Sequence, residues 1–245
     1  MVRWPRLFLA PLCGLIACSP QSAAEPAAVP DARIGDCYAD VSAAPVGCNF
    51  RHVAQTVFVS DIPPPADPKV ALAPCREAQA EFLGQDFNTR LGLKLWVADD
   101  RSWYRCDVVL RNSTLASDTY QMLTGSLKGV LSKGASIDLQ ACLDAGYDPT
   151  VDQAYVSCRE PHVAHELAVA PAIGTVDEPF PTDVARRAAK ACNATASAAG
   201  QLLPDRLVTA FYPRNAATWA SDARTADCWV TATKGMLPAP TSAGR

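Results

Sequence analysis

Histidine and glutamate are the residues of this chain whose spacing best suits proton transfer or metal binding. The chain has three histidines, His52, His162 and His165. If the segment after His162 is an extended strand, alternate residues share a face, so His162 and Glu166 lie on one side. Such a pair suits acid–base catalysis or metal ligation. The alternative is that His52 and His162 each cap a turn beside a disulfide bond and hydrogen-bond the backbone.

The sequence around the histidines occurs twice. Cys48 and Cys158 are each followed by three residues, a histidine and Val-Ala. A cysteine, the pattern Trp-x-x-Asp-x-Arg and a closing cysteine then follow in both halves: Cys75, Trp96, Asp99, Arg101 and Cys106, then Cys192, Trp219, Asp222, Arg224 and Cys228. Repetition of such uncommon residues in one order indicates a tandem duplication. We define module 1 as residues 31–135 and module 2 as residues 136–236.

The two copies differ at the position that a catalytic or metal site would need. Module 1 has Thr56 where module 2 has Glu166. A histidine that caps a turn needs no carboxylate, so the structural interpretation suits both copies and is favoured. Gln55 of module 1 corresponds to His165, which is expected to be exposed.

The repeated Trp-x-x-Asp-x-Arg pattern has two interpretations. Tryptophan and arginine are frequent anchors of protein interfaces, so Trp96, Arg101, Trp219 and Arg224 are candidate ligand-binding residues on a recognition edge. The favoured alternative is that both tryptophans pack in hydrophobic cores. The aspartate and arginine of each pattern are two residues apart, and we expect an ion pair in a turn, worth at most about 1 kcal/mol if exposed.

Signatures of well-known catalytic sites are missing from the sequence. It contains no Gly-x-Ser-x-Gly, no phosphate-binding loop, no dinucleotide-binding glycine run and no His-Glu-x-x-His. We therefore expect neither enzymatic activity nor a cofactor or metal. The alternative is an extracytoplasmic enzyme or metal-binding protein that uses His162 and Glu166.

The N-terminus has the features of a bacterial lipoprotein signal. Arg3 and Arg6 precede a short apolar stretch, and Leu15-Ile16-Ala17-Cys18 has the form of a lipobox. A transmembrane helix needs about 20 apolar residues, and this stretch is shorter. Residues 1–17 are thus predicted to be a signal peptide, with lipid on Cys18 as the membrane anchor. The alternative is an ordinary secretory signal cleaved within residues 23–28.

The segments beside the modules are expected to be flexible. Residues 18–30 are rich in proline and alanine and are predicted to be a tether, and residues 237–245 a disordered tail. Removal of the signal takes away Arg3 and Arg6 and changes the net charge from −3 to −5. This balance disfavours nucleic acid as a partner.

The cysteines indicate disulfide bonds outside the cytoplasm. Without Cys13 and Cys18, eight of the ten remain, and each module has three ways to pair its own four. Helical patterns contain Cys75 and Cys192, and strand patterns contain Cys106 and Cys228. We therefore predict Cys75–Cys106, Cys192–Cys228, Cys37–Cys48 and Cys142–Cys158. Zinc binding is disfavoured because there is no Cys-x2-Cys pair.

Each module is predicted to be a small antiparallel sheet with one packed helix, giving a duplicated α+β fold stapled by disulfides. Strands are predicted at 53–59 and 163–169 and helices at 74–83 and 182–199. Hairpins are predicted from 91–97 with 103–110 and from 207–212 with 226–231.

These motifs resemble the septum-formation domain family. The run from Val156 to Glu166 is similar to the signature of that family, as are Gly35-Asp36-Cys37 and the segment from Trp219 to Cys228. Both copies depart from it: module 1 has Arg51 and Thr56 in place of proline and glutamate, and Ala141 precedes Cys142 in place of Gly-Asp. The family is found in secreted, lipid-anchored or membrane-tethered proteins of high-GC Gram-positive bacteria.

No enzymatic activity comes with this resemblance. It implies an extracytoplasmic, membrane-anchored lipoprotein with a binding or structural role in the cell envelope, linked to septation and cell division. The membrane is then one partner, through the lipid, and an envelope or division protein is another.

Overall fold

The computed structural model describes residues 32–40, 44–115, 119–221 and 224–239. The predicted signal peptide, Cys18 and the tether lie outside these residues, as does Asp222. Within the described residues, no helix has the length and apolarity needed to cross a membrane.

Module 1 contains an antiparallel sheet with one helix on it. In chain order its elements are β1 (Cys37–Tyr38), β2 (Pro45–Val46), β3 (Ala54–Ser60), α1 (Pro68–Leu83), β4 (Leu91–Val97), β5 (Tyr104–Arg111) and β6 (Tyr120–Gln121). The strand order is β2-β1-β3-β5-β4, and β6 pairs with the end of β5. The predicted hairpin is therefore formed by β4 and β5.

Module 2 repeats this arrangement. A single 3₁₀ turn (Ile137–Leu139) precedes β7 (Cys142–Leu143), β8 (Ala164–Glu166), α2 (Val184–Ala198), β9 (Arg206–Phe211), α3 (Ala216–Ser221) and β10 (Asp227–Ala232). The strand order β7-β8-β10-β9 matches β1-β3-β5-β4 of module 1. The predicted α+β class and duplicated architecture are confirmed.

Individual residue pairs also match between the two sheets. The equivalent pairs are Cys37 with Gln55 and Cys142 with His165, His52 with Leu123 and His162 with Leu237. An isolated bridge between Cys142 and Val156 takes the place of the β1–β2 pairing. The correspondence extends beyond the cysteines to the backbone register, as duplication of one ancestral unit requires.

Four disulfides join the four pairs predicted from the sequence. Cys37–Cys48, Cys75–Cys106, Cys142–Cys158 and Cys192–Cys228 have Cα separations between 5.2 and 5.9 Å. In each module one bond ties β1 or β7 to the following loop, and the other ties the helix to the sheet. Removing a native disulfide from a small secreted domain typically costs about 2–5 kcal/mol.

The helices pack on one face of each sheet. The buried positions of α2 are Val184, Ala188, Cys192 and Ala196, the four-residue spacing that its sequence predicts. Cys75 of α1 and Cys106 of β5 lie in the corresponding core of module 1. Each helix-to-sheet disulfide is therefore surrounded by apolar side chains.

Helix α1 begins earlier than predicted. The sequence predicted a start at residue 74. The helix instead begins at Pro68, and the N–H groups of Val70 and Ala71 already donate to the carbonyl of Asp67. Pro74 therefore lies inside the helix, where it removes one backbone N–H donor and its ring crowds the preceding turn.

Strand β8, one short helix and the C-terminal tail also differ from the sequence predictions. Strand β8 ends at Glu166, whereas 169 was predicted, and the short helix α3 was not predicted. The predicted disordered tail is wrong at its first residue, because Leu237 is buried and exchanges two backbone hydrogen bonds with His162. Residues 240–245 lie outside the described residues.

The segment that follows β6 covers the core of module 1. Its buried residues are Leu123, Leu127, Leu131, Ala135 and Leu139. Leu139 lies beyond the predicted module boundary yet packs with the core of module 1. The two modules are therefore joined through packed residues.

Candidate functional site

Both motif histidines are fully buried and bonded to the backbone. Nδ1 of His52 lies 2.9 Å from the carbonyl oxygen of Phe50, and Nδ1 of His162 lies 2.9 Å from that of Glu160. Each side chain is 0% exposed. A carbonyl oxygen only accepts, so Nδ1 carries the hydrogen in both rings. This is the geometry of a turn cap, the structural alternative that the sequence left open.

His162 and Glu166 do not form the shared face expected from an extended strand. The chain bends at Val163 before β8 begins, which breaks the alternation of side chains. Nε2 of His162 instead lies 3.3 Å from Nδ1 of His165. Glu166 lines a cavity with a different set of side chains.

The expected exposure of His165 is wrong. This side chain is 3% exposed, because its strand position pairs with Cys142 inside the module. Burial, together with the charges of His162 and Arg206, lowers the pKa of His165 to about 3. The ring is therefore neutral in the folded protein near neutral pH.

The tryptophans of the repeated pattern have different surroundings. Trp219 is 2% exposed in the core of module 2, and its Nε1–H donates a 2.7 Å hydrogen bond to the carbonyl of Glu178. Trp96 is half-buried on β4, with its ring centroid 4.9 Å from that of Trp103 and 4.7 Å from the guanidinium of Arg105. Trp219 therefore packs in a hydrophobic core, as the favoured interpretation expected. Trp96, in contrast, lies partly at the surface.

The arginines of the same pattern share an unusual backbone conformation. Arg101 and Arg224 have φ of 56° and 55°, and no other non-glycine residue in the described ranges has a positive φ. Arg101 is exposed, while Arg224 is buried with its guanidinium 5.7 Å from the Trp219 ring. Asp99 is exposed in the β4–β5 turn. Both modules therefore keep the same left-handed backbone conformation at the arginine of the repeated pattern.

Module 1 obtains a carboxylate from a neighbouring strand at the place where module 2 has Glu166. Thr56 Oγ1 donates a 2.7 Å hydrogen bond to Oδ1 of Asp107, and Arg105 Nε donates one of 3.0 Å to Oδ2. The guanidinium of Arg105 also lies 3.7 Å from the centroid of the Tyr38 ring. Burial raises the pKa of Asp107, although Arg105 and Thr56 oppose the shift. This closed network was not predicted from the sequence.

A cavity of about 260 Å³ lies between the two modules. Its module 1 wall comes from α1, the loop before β4 and the residues around the end of β5, and its module 2 wall from the sheet face opposite α2. The lining residues are Gln79, Asp86, Phe87, Asn88, Thr89, Leu91, Arg111, Thr114, Tyr147, Tyr155, Glu166, Asp227 and Trp229. Most of these residues are polar, which distinguishes the cavity from the cores.

Three carboxylates, those of Asp86, Glu166 and Asp227, and one guanidinium, that of Arg111, line this cavity. Burial and the negative charge of Asp227 together raise the pKa of Glu166 to about 8, and Arg111 opposes the shift. Arg111 is held by Nη2 on the carbonyl of Thr89 and by Nε on that of Arg90, at 3.2 and 3.4 Å. A buried carboxylate with a strongly raised pKa in a cleft is a candidate functional group.

Aromatic rings form another part of the wall. Tyr147 stacks on Trp229 with 4.3 Å between ring centroids and 4° between planes, and Phe211 packs edge-on against Tyr147. The ring of Tyr155 lies 5.7 and 5.9 Å from the guanidinium groups of Arg90 and Arg111. Burial raises the pKa of Tyr155 to about 12. Both tyrosines are therefore neutral at physiological pH.

Of the candidate residues predicted from the sequence, the cavity contains only Glu166. The other candidates do not form one shared site. They lie within their own modules: His52, Trp96 and Arg101 in module 1, and His162, Trp219 and Arg224 in module 2. Within the described ranges, no group of three or more His, Cys, Asp or Glu side chains is arranged to hold a metal ion. Asp227 and Arg111 were missed because single-sequence patterns do not show which residues meet across a module boundary.

Comparison with known proteins identifies one family. A family model described as Septum formation matches residues 35–228 in one continuous region that spans both modules. No curated protein and no solved structure matches the chain significantly. The matched region contains all four disulfides and every residue of the cavity except Trp229, and the chain belongs to the septum formation family.

Proposed function

We propose that this protein is a membrane-anchored extracytoplasmic lipoprotein with a binding role in septum formation. Family membership supports the link to cell division. The observation that carries a binding role is the polar cavity between the modules, which has charged and aromatic walls and uses Glu166 of the repeated motif.

An extracytoplasmic location is supported by the covalent structure. All eight cysteines of the modules are paired in four disulfides. Disulfides persist in oxidising compartments and are rare in the cytoplasm. The lipobox that ends at Cys18 is the proposed anchor, because a thiol directly after a short apolar signal is the acceptor for lipid.

A binding role accounts for the surroundings of the histidines better than catalysis does. His52 and His162 use Nδ1 to hold a turn, and neither has a carboxylate partner in the described structure. A general base must reach the proton that it removes, but both rings are fully buried. The same argument applies to metal binding by His162 and Glu166.

Conditional depletion of the protein in the bacterium that encodes it tests the proposed role. We expect longer cells with missing or misplaced septa, restored by the full chain expressed from a second locus. The Cys18→Ala variant should restore septation less well, because it lacks the anchor. Normal septum spacing after complete depletion would contradict the proposed role.

A further inference from the structure

We propose that this protein forms a symmetric dimer in which the free edges of strand β9 from two copies pair in antiparallel fashion. Strand β9 is the last in the module 2 order β7-β8-β10-β9, and among the described strands it pairs with β10 alone. The proposal goes beyond the septal role and does not depend on it. It rests on the backbone groups, the side chains and the flanking residues of this edge.

The backbone of β9 has hydrogen-bonding groups that face away from its sheet. The N–H of Thr233 donates to the carbonyl of Asp205, so Asp205 turns its backbone toward β10. Because residues of an antiparallel strand alternate in this direction, Val208 and Ala210 turn their N–H and carbonyl groups to the other side. No strand or backbone group in the described ranges bonds to them there. The outer side of β9 can therefore accept a further strand.

The equivalent edge of module 1 carries a charge that β9 lacks. Counted from the helix-to-sheet disulfides, Lys94 of β4 is equivalent to Thr209 of β9. A lysine in the middle of an edge strand discourages pairing with another chain, because its charge is brought against the added strand. Residues 207–213 contain no charged side chain. Of the two equivalent edges, β9 is therefore the one left open to pairing.

Prolines limit this open edge at both ends. Pro204 precedes β9 and Pro213 follows it. Proline has no N–H to donate, so a paired strand is confined to residues 205–212. Two antiparallel copies of such a segment overlap along nearly their whole length when the two-fold axis passes through its middle, at Val208 or Thr209.

Side chains select the register with the axis at Thr209. Val208 of one copy then pairs with Ala210 of the other, which satisfies the outward groups of both residues. On the sheet face opposite α2, Leu207 lies directly across from Phe211 of the second copy, and side chains at such positions contact each other. Leu207 is 56% exposed in the single chain, and Phe211 lines an open groove of about 550 Å³. With the axis at Val208, Leu207 would face the polar Thr209 instead.

Two further exposed leucines lie beside the edge. Leu202 and Leu203 precede β9 and are 48% and 43% exposed. The N–H of Arg206 donates to the carbonyl of Leu203, which holds this turn against the start of the strand. Apolar residues exposed singly are normal, but a group of them marks an interaction surface. Leu202, Leu203 and Leu207 form the apolar part of the proposed interface.

Cysteine cross-linking of the oxidised chain without residues 1–18 tests the register. Thr209 lies on the two-fold axis, so Thr209→Cys brings two thiols to a separation that a disulfide can bridge. Ser132→Cys, at an exposed position of module 1, is the matched control. We expect covalent dimers from the Thr209 variant under mild oxidation and monomers from the control. Equal cross-linking of both variants, or none of the Thr209 variant, would overturn the proposal.

Sedimentation measurements test the association itself. The parent should form dimers as its concentration rises. Thr209→Lys supplies the lysine of module 1 and should weaken dimerisation at least about tenfold. Ala210→Pro removes only an outward N–H, so it should weaken the dimer and leave the pairing with β10 in place. Ser132→Lys, which adds the same charge outside the edge, should dimerise like the parent.

The contrary results are equally clear. A parent that stays monomeric at every concentration would overturn the dimer, including the case in which the edge accepts a strand from another protein. Dimerisation of undiminished strength in both edge variants, with folding verified by circular dichroism, would overturn the assignment to β9.

Amide hydrogen exchange gives a third readout. The amides of Val208 and Ala210 should exchange more slowly as the concentration rises, because they become bonded only in the dimer. The amides of Thr209 and Phe211 face β10 in the single chain and are the internal control. Exchange of Val208 and Ala210 that does not depend on concentration would overturn the pairing of the two edges.

Discussion

His162 and His165 contact each other inside module 2, with Nε2 of His162 3.3 Å from Nδ1 of His165. Nδ1 of His162 donates to the carbonyl of Glu160, and in the neutral ring Nε2 then accepts a hydrogen bond from Nδ1 of His165. The contact between the two nitrogens holds one hydrogen, so the two rings cannot both be positively charged. The equivalent position in module 1 is Gln55, which donates to the carbonyl of Gly35 and to Oγ of Ser126.

We expect His165 to make module 2 sensitive to acid. Its folded pKa of about 3 lies below the ordinary value, so the stability that it contributes is present above about pH 6.5 and is lost as pH falls toward 3. The His165→Gln substitution introduces the residue type of Gln55, its counterpart in module 1. It should remove the pH-dependent contribution of His165 to the free energy of unfolding. The unfolding free energies of the two proteins, measured with denaturant at pH 7.5 and 5, should diverge by about 2 kcal/mol. Parallel curves at the two pH values would argue against a neutral buried ring.

The raised pKa of Glu166 should make the protein less stable as the pH rises, which is the opposite of the effect of His165. Its folded pKa of about 8 exceeds the ordinary value, so the contribution of this group is fully present below about pH 4.5 and is lost as pH rises through 8. Glu166→Gln should therefore be more stable than the parent at pH 8.5, by about 1–2 kcal/mol after allowance for partial exposure. Denaturant unfolding of both chains at pH 5 and 8.5 measures this. A Glu166→Gln variant that is less stable than the parent at pH 8.5 would contradict this expectation.

The motif histidines should be required for stability in both modules to a similar extent. His52→Ala and His162→Ala each remove a fully buried ring and leave a carbonyl without its donor. Each substitution should lower the unfolding free energy by about 2–4 kcal/mol. Thermal melting of the oxidised chain provides the measurement, and Lys133→Ala at an exposed position is the control. Unchanged melting in both variants would show that the rings do not hold the turns.

Lipid attachment has one predicted acceptor. Cys18→Ala removes the thiol of the lipobox and should shift the protein from the detergent phase to the aqueous phase after phase separation. Cys13→Ala, in the apolar stretch of the signal, is the matched control and should leave the distribution unchanged. If the Cys18 variant stays in the detergent phase like the parent, the anchor lies elsewhere.

The sequence predicted those features that depend on local patterns. Cys192 could be assigned to a helix from its four-residue spacing and Cys228 to a strand, so their bond followed from the predicted fold. The same reasoning failed at His162, because a bend at one residue reverses the side to which every later side chain points. Nothing in the pattern before His162 indicates that bend.

The residues that line the cavity could not be predicted from the sequence, for a different reason. Arg111 and Glu166 meet only because the end of β5 packs against the sheet of module 2. Packing between modules depends on the shapes of whole surfaces, whereas periodicity and spacing describe one element at a time. The Thr56–Asp107 bond was missed similarly, since it joins two strands separated by the whole of α1.

Localisation in dividing cells tests the central claim most directly. The protein, labelled at its C-terminus with a tag that fluoresces outside the cytoplasm, should be enriched at the division septum relative to the lateral envelope. Glu166→Gln should reach the envelope in equal amount but show weaker septal enrichment, with Glu160→Gln as the matched control. A uniform distribution of the parent protein around the cell throughout division would contradict a binding role in septum formation.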